Sequence, residues 1–143
     1  MSDWLTIALL IVTGYISGAI VEKAHYASIG RREKRSICIP AVSGEDFLEE
    51  RPVERSELVC ASVVISADYF KLIVSGLRNL LGGEVTAYET ILDRARREAL
   101  LRLKEQTPGA DIILNLRIET CLITEGSIVQ ALAYGTAVYY RAS

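Results

Sequence analysis

Half of the 143 residues are hydrophobic, 24% are charged, and the mean hydropathy is +0.26. This length allows one compact domain with an appendage and excludes two ordinary domains. Because the net charge is −2, bulk electrostatic attraction is excluded as a basis for nucleic-acid binding, and we predict no nucleic-acid partner.

The first predicted element is an uncharged helix over residues 4–21, WLTIALLIVTGYISGAIV. A helix of this length rises about 27 Å, close to the ~30 Å hydrocarbon core of a bilayer. A cleaved signal peptide and the buried helix of a soluble core are the alternatives. The first lacks a basic n-region here, and the second seldom has so long an uncharged run. We therefore expect a transmembrane anchor over residues 1–22.

A basic juxtamembrane helix is predicted over residues 23–36. Its cations outnumber its single carboxylate, Glu33, whereas only Asp3 precedes the apolar run. The positive-inside rule then puts the N-terminus outside and the rest of this single-pass protein on the cytoplasmic side of the inner (cytoplasmic) membrane. The cations either fix this topology alone or also contact anionic lipid headgroups: Lys23, Arg31, Arg32, Lys34 and Arg35.

Gly14 and Gly18 form a G-x-x-x-G motif within the anchor. Small residues one turn apart let two membrane helices approach closely, which predicts helix packing at these two positions. The alternative is that glycine is merely tolerated there, because the motif is short and common.

An acidic connector is predicted over residues 37–57. Between Ser43 and Glu57, six carboxylates face only Arg51 and Arg55. A solvated connector explains this composition. A cation site is the alternative, although the D-x-D-x-D-G spacing of calcium loops is missing.

The remainder, residues 58–143, is predicted to fold as an α+β domain. It begins with a continuous β-branched strand over residues 58–66. A helix is then predicted to start at Asp68, which serves as its N-cap, and to end near Leu81, where Gly82–Gly83 supplies its C-terminal cap.

A second helix is predicted from about Val85 to Gln106. Its charged face carries opposite charges four residues apart and is interpreted as solvated. Its other face is an apolar stripe of Tyr88, Leu92, Ala95, Ala99 and Leu103.

Two antiparallel strands complete the domain, with a hairpin turn predicted at residues 124–127. Alternation in the first strand predicts one aliphatic face of Ile112, Leu114, Leu116 and Ile118. In the second strand the even positions are large, whereas the odd ones are small: Ala131, Ala133, Gly135 and Ala137. Something must approach the small residues closely, and the Ala95–Ala99 part of the helix stripe is the natural candidate.

The sheet predicts an oligomer. Three strands form a layer with two faces, and one helical layer covers only one of them. The face with the larger residues is too apolar to remain in water without a partner. We therefore predict that copies of the chain cover this face for one another.

Five stretches within residues 57–140 resemble the YbjQ family of small bacterial and archaeal proteins: SVVISADYF, GLRNLLGGEVTAYE, ARREAL, PGADIILNLRIE and AYGTAV. The resemblance implies a β-α-α-β-β unit with a small antiparallel sheet in a dodecin-like arrangement, assembling as a ring-like homopentamer. Family members carry a heavy-metal-binding label without a defined site. The segment HYASIGRRE, residues 25–33, resembles a membrane-attached subgroup.

No catalytic motif is present, and we predict that the protein is not an enzyme. The one histidine, His25, lies beside the membrane, which argues against Ser-His-Asp and Cys-His arrangements. Cys38, Cys60 and Cys121 form no C-x-x-C pair, which favours a reducing compartment. Cys60 and Cys121 are interpreted as buried small hydrophobes; the alternative is a metal site, for which these two and His25 are the candidates.

Two functions follow from these patterns. The first is a non-enzymatic scaffold, a membrane-anchored homo-oligomer without a cofactor. The second is a metal- or small-ligand-binding protein with sites repeated around the oligomer, supported by Cys60, Cys121 and the acidic connector.

Overall fold

The computed structural model describes residues 2–44, 50–66, 86–124 and 128–141. Two helices and three strands occur in these ranges: α1 (Ser2–Ser36), β1 (Val53–Ser66), α2 (Thr86–Glu105), β2 (Ile112–Thr124) and β3 (Ile128–Tyr140). The chain is therefore of the predicted α+β class, with a long apolar N-terminal helix. The predicted helix from Asp68 to Leu81, its Gly82–Gly83 cap and most of the predicted turn lie outside the described residues.

Helix α1 is continuous over 35 residues and is therefore about 52 Å long. Asp3 lies in its first turn and Lys34 and Arg35 in its last, where each charge complements the helix dipole. The apolar first half is exposed, and an 18-residue window of it has a mean hydropathy of 2.0. Its length and composition suffice to cross a bilayer.

The sheet is antiparallel with strand order β1-β3-β2. Strand β1 starts at Val53, whereas the sequence predicts a start at Leu58, because residues from Val53 onward pair with the end of β3. Residues 40–42 extend the opposite edge of the sheet. Ala41 forms a parallel bridge to Ile113, and the Val42 amide donates to the Ile113 carbonyl over 2.9 Å.

Helix α2 covers one face of the sheet, and the predicted contact between small residues is confirmed. Ala95 and Ala99 belong to the same buried cluster as Ala131 and Ala133 of β3. Side chains limited to one methyl group let the helix backbone approach the strand. Aliphatic residues complete the cluster on both sides: Val63, Ile65, Ile91, Leu103, Ile113 and Val129.

The prediction that four aliphatic residues of β2 share one face is wrong. Leu114 pairs with Thr136 and Arg117 with Tyr134, so two residues of β2 oppose one residue of β3. This is a β-bulge, and its residue Asn115 has a φ of 53°, a conformation that asparagine tolerates better than most residues. The bulge moves Ile112 and Leu114 to a second cluster with Val138, Tyr140 and Val42, while Leu116 and Ile118 pack against the α2 cluster.

Gly135, opposite the bulge, is expected to be required for stability. A Cβ at this position would lie 2.9 Å from Ile113 Cγ2 and 3.0 Å from the Leu114 carbonyl oxygen. We expect Gly135→Ala to lower the free energy of unfolding by about 1–3 kcal/mol through overpacking. Thermal unfolding followed by circular dichroism measures this effect.

Gly30→Ala is the matched control for that substitution. Gly30 is within α1, and a Cβ there would meet no atom within 4 Å. Because alanine is the better helix former, we expect Gly30→Ala to be neutral or to raise stability by up to about 1 kcal/mol. Equal losses in the two variants would contradict the steric account of Gly135.

Candidate functional site

The second half of α1 packs alongside α2. The Tyr26 hydroxyl donates to the Thr90 carbonyl oxygen over 3.0 Å, and Arg97 donates to Glu33 over 2.7 Å. Both pairs are separated by 64 residues, so the two helices run parallel. Ile29, between Tyr26 and Glu33, is completely buried. We call this contact between residues 26–33 and α2 the helix junction.

A buried carboxylate, Glu98, lies at the centre of the helix junction. Its side chain is only 4% exposed and accepts hydrogen bonds from Arg32 at 2.8 Å and from Arg102 at 2.9 Å. Arg32 also donates two hydrogen bonds to Glu105, at 2.6 and 2.7 Å. One guanidinium group thus joins α1 to two positions of α2, in the charge-assisted geometry that arginine forms best.

Proton affinities at the helix junction are shifted by these pairs. Burial acts to raise the pKa of Glu98, but the hydrogen bonds from Arg32 and Arg102 outweigh it, and the pKa lies below its ordinary value of 4.5. The hydrogen bond from Arg32 likewise lowers the pKa of Glu105. Glu98, Glu105 and Arg32 are therefore all charged at neutral pH.

A second ion pair of the helix junction is more exposed. The side chains of Arg97 and Glu33 are 38% and 37% exposed, and Arg97 also lies 3.6 Å from Asp93, one helical turn away. The hydrogen bond from Arg97 lowers the pKa of Glu33. Solvent screens this pair, so it contributes less to stability than the buried one.

The interpretation of the charged face of α2 as solvated is wrong at Glu98. It fails because the second half of α1 covers part of that face and supplies Arg32 as a partner. The sequence does carry a signal for the contact. Tyr26, Ile29 and Glu33 are spaced by three and four residues, as on one helix face, and Glu33 is the single carboxylate of a basic segment.

The sheet face opposite α2 exposes apolar side chains. Leu58, Val64 and Leu132 on this face are 79%, 57% and 37% exposed. Cys60 and Cys121 are exposed on it as well. Polar groups accompany them, including Gln130, which donates to the Ser62 hydroxyl over 3.1 Å. We call this surface the open sheet face.

The interpretation of Cys60 and Cys121 as buried is therefore wrong within one chain, because nothing in the described residues covers the open sheet face above them. Cys60 pairs with Tyr134 on one side of β3, and Cys121 pairs with Gln130 on the other. Four residues along β3 and two strand spacings separate them by roughly 16 Å. They do not share a metal ion within one chain.

His25 does not join the two cysteines. It lies on α1, and its Nε2 is buried without a hydrogen-bond partner in the described part of the chain. Among the residues the structure describes, no group of three or more His, Cys, Asp or Glu side chains is arranged to hold a metal ion.

The exposed half of α1 carries Gly14 and Gly18, one turn apart. The hydroxyl groups of Thr13 and Ser17 donate to carbonyls of their own helix, at 2.9 and 3.0 Å, so these polar groups are satisfied without water. A cleft of about 500 Å³ runs along α1 from Tyr15 to Tyr26. Its described walls are mostly apolar and show no catalytic grouping.

Comparisons with known proteins find one family. A model of the YbjQ family, described as "Putative heavy-metal-binding", matches residues 40–141. A UPF0145 protein of Clostridium novyi is 37% identical over 95 residues, which cover 65% of this chain and 91% of the relative. A UPF0145 protein of Natronomonas pharaonis is 44% identical over 71 residues, 48% of this chain and 67% of the relative.

A crystal structure of a protein from Pediococcus pentosaceus is also similar. That protein is described as having unknown function and belonging to the DUF74 family. It is 15% identical to this chain, with a TM-score of 0.46, and the match covers 72% of this chain and 98% of that one.

Proposed function

The chain belongs to the YbjQ family, and from that premise we propose that it is a non-enzymatic, membrane-anchored scaffold whose copies assemble as a ring, in the pentameric and dodecin-like arrangement expected of the family. The main support for this proposal is that the two halves of α1 differ. Its first half is exposed and apolar, and its second half is joined to α2 by buried and exposed ion pairs. A helix of this kind transmits the position of a membrane anchor to the domain.

The anchor, residues 4–21, suits a lipid environment in two respects. It contains no charged side chain, and the hydroxyls of Thr13 and Ser17 are satisfied by the helix backbone. We propose a single crossing of the cytoplasmic membrane with the N-terminus outside and the domain in the cytoplasm, because the basic residues follow the anchor. Gly14 and Gly18 would then let anchors of neighbouring copies pack closely.

Of the basic residues that follow the anchor, Lys23 is the one placed to contact anionic lipid headgroups. Arg32 is engaged by Glu98 and Glu105 and is not available to lipid. Arg31, Lys34 and Arg35 lie about 15–21 Å beyond the end of the anchor along a straight helix, which is farther than the headgroup layer and longer than a Debye length. These more distant cations serve chiefly to set the topology.

The open sheet face supports assembly. Exposed apolar side chains on a sheet face lose contact with water when a second copy covers them, with a gain of about 25 cal/mol per Å². We expect a particle of five chains, each of 15.8 kDa, when the protein is weighed in mild detergent by native mass spectrometry. A monomer at micromolar concentration would overturn the scaffold proposal.

Leu58→Asp tests which surface holds the particle together. Leu58 is 79% exposed on the open sheet face, and burying a carboxylate there would cost several kcal/mol. We expect this variant to dissociate to smaller particles. Ile37→Asp is the control, since Ile37 is 76% exposed but lies outside the sheet. Dissociation of both variants, or of neither, would contradict assembly through this face.

The second candidate function is metal or small-ligand binding. It is favoured by the exposure of Cys60 and Cys121 on the face that neighbouring copies would cover, where thiols of different chains could approach one another. Elemental analysis of protein purified without a tag, compared with Cys60→Ser/Cys121→Ser, tests it. Bound metal that is lost in the variant would support this function, and unchanged occupancy would exclude these thiols as ligands.

A further inference from the structure

The direction of α2 relative to the bilayer follows from the helix junction. Tyr26 contacts Thr90 and Glu33 contacts Arg97, each with an offset of 64 residues. The same offset aligns Thr86, the first residue of α2, with Glu22, the first charged residue after the anchor. Helix α2 therefore starts close to the membrane surface and runs away from it.

The contacts between α2 and the sheet also show which ends of the strands lie nearest to the membrane. Arg102 donates to the Ser62 carbonyl at 3.4 Å, and Arg94 donates to the Ser66 carbonyl at 3.3 Å. Strand β1 thus runs antiparallel to α2, toward the bilayer, and ends there at Ser66. Ser66 pairs with Ile128, and Ile128 pairs with Thr124. The ends of all three strands at Ser66, Thr124 and Ile128 form what we call the proximal edge.

The proximal edge is the part of the sheet nearest to the lipid headgroups. From Thr86 to Arg94, α2 advances about 12 Å, and side chains on a helix lean back toward its N-terminus. The edge is therefore within roughly 10 Å of the level at which the apolar run ends. The headgroup layer extends about 5–8 Å beyond the hydrocarbon core, so the edge lies at or just outside its outer limit, where an aliphatic side chain can reach it.

Exposed aliphatic side chains are concentrated at this edge of β2. Leu122 and Ile123 are 57% and 53% exposed. At the opposite end of the same strand, Ile112 and Leu114 are buried beneath Val42 and β3. The strand thus covers its aliphatic residues at the end far from the membrane and exposes them at the end near it.

We infer that the proximal edge is a second membrane contact, in which Leu122 and Ile123 enter the headgroup region of the bilayer. This inference rests on the proposed anchor. It implies an upright orientation of the domain, in which the proximal edge faces the membrane and the strands extend away from it. The partner is the lipid surface itself. Aliphatic insertion requires no particular headgroup charge, so the contact forms on zwitterionic as well as anionic bilayers.

Tryptophan quenching by brominated lipids tests the contact. Trp4 is the only tryptophan of the chain and reports on the anchor in the wild-type protein. In a Trp4→Phe background, Leu122→Trp and, separately, Ile123→Trp report on the proximal edge. Ile37→Trp is the control, because Ile37 directly follows the last residue of α1 and lies about 24 Å beyond the end of the anchor.

We expect brominated phosphatidylcholine vesicles to quench Trp4 and at least one proximal-edge tryptophan two-fold or more, and to leave the Ile37→Trp variant unchanged. If Trp4 is quenched but both edge tryptophans are not, the inference fails and the anchor stands. If Trp4 is not quenched, the proposed anchor fails. Quenching of the Ile37→Trp variant would overturn the upright orientation.

Discussion

Arg32→Ala is expected to lower the free energy of unfolding by about 3 kcal/mol, because it leaves a buried carboxylate without its main partner. The Glu98 side chain is 4% exposed, and Arg32 binds it through one guanidinium nitrogen while holding Glu105 through two others. Arg102 remains but is itself 48% exposed. Thermal unfolding in detergent, followed by circular dichroism, should show a melting temperature lower by roughly 10 °C.

Arg97→Ala is the matched control, since it removes a guanidinium group from the same helix junction. Its pair with Glu33 is more than one-third exposed on both sides, and such pairs contribute less than about 1 kcal/mol. Burial alone therefore separates the two variants. Equal losses would show that Glu98 reaches water once Arg32 is removed, and would contradict its assignment as a buried charge.

The double variant Arg32→Met/Glu98→Met distinguishes the ion pair from the packing around it. Removing both charges eliminates the desolvation of each, and apolar side chains of similar length keep the contact between α1 and α2. We expect the double variant to regain most of the stability lost in Arg32→Ala. If the double variant lost as much free energy of unfolding as Arg32→Met and Glu98→Met lose together, the charges, rather than the packing contact, would hold α1 in place.

Regular elements with a strong period could be predicted from the sequence. Within the described residues, helix α2 extends from Thr86 to Glu105, and its end is within one residue of the predicted Gln106, because its apolar stripe and the following Pro108 both constrain it. Strand β3 and its contact with the small residues of α2 were predictable for the same reason. A strand with alanine or glycine at every second position has one face without bulk, and a neighbouring backbone can approach that face closely.

Two features were missed because they depend on a single backbone angle or on the identity of a distant partner. The left-handed backbone conformation of Asn115 cannot be read from the sequence IILNLRIE, because its apolar and polar residues alternate as in one uninterrupted strand. Glu98 has the four-residue spacing to Arg102 of an ordinary surface pair. Glu98 is buried because α1 packs against it and brings Arg32, 66 residues earlier in the chain, into contact with its carboxylate. Similarly, the exposure of Cys60 depends on what covers the sheet, which strand propensity does not determine.

Acid is expected to destabilise the helix junction before it affects the apolar core. Arginine partners hold the pKa values of Glu33 and Glu105 below 4.5, and they do the same for Glu98 against the opposing effect of its burial. The unfolded chain, with ordinary pKa values, therefore binds more protons than the folded chain near pH 4. The stability contributed by these groups is complete above about pH 4.5 and is lost as the pH falls through their lower, folded-state values.

Thermal unfolding at pH values from 7 down to 3 should therefore give a melting temperature that is level above about pH 5 and falls steeply below 4.5. Glu98→Gln should be less stable at neutral pH, since its amide no longer pairs with Arg32 as a charge, and its curve should fall less steeply in acid. The reason is that one of the three carboxylates that take up protons on unfolding has been removed. A variant curve parallel to that of the wild type below pH 4.5 would show that Glu98 does not contribute to the acid transition, and that the exposed pair and Glu105 account for it.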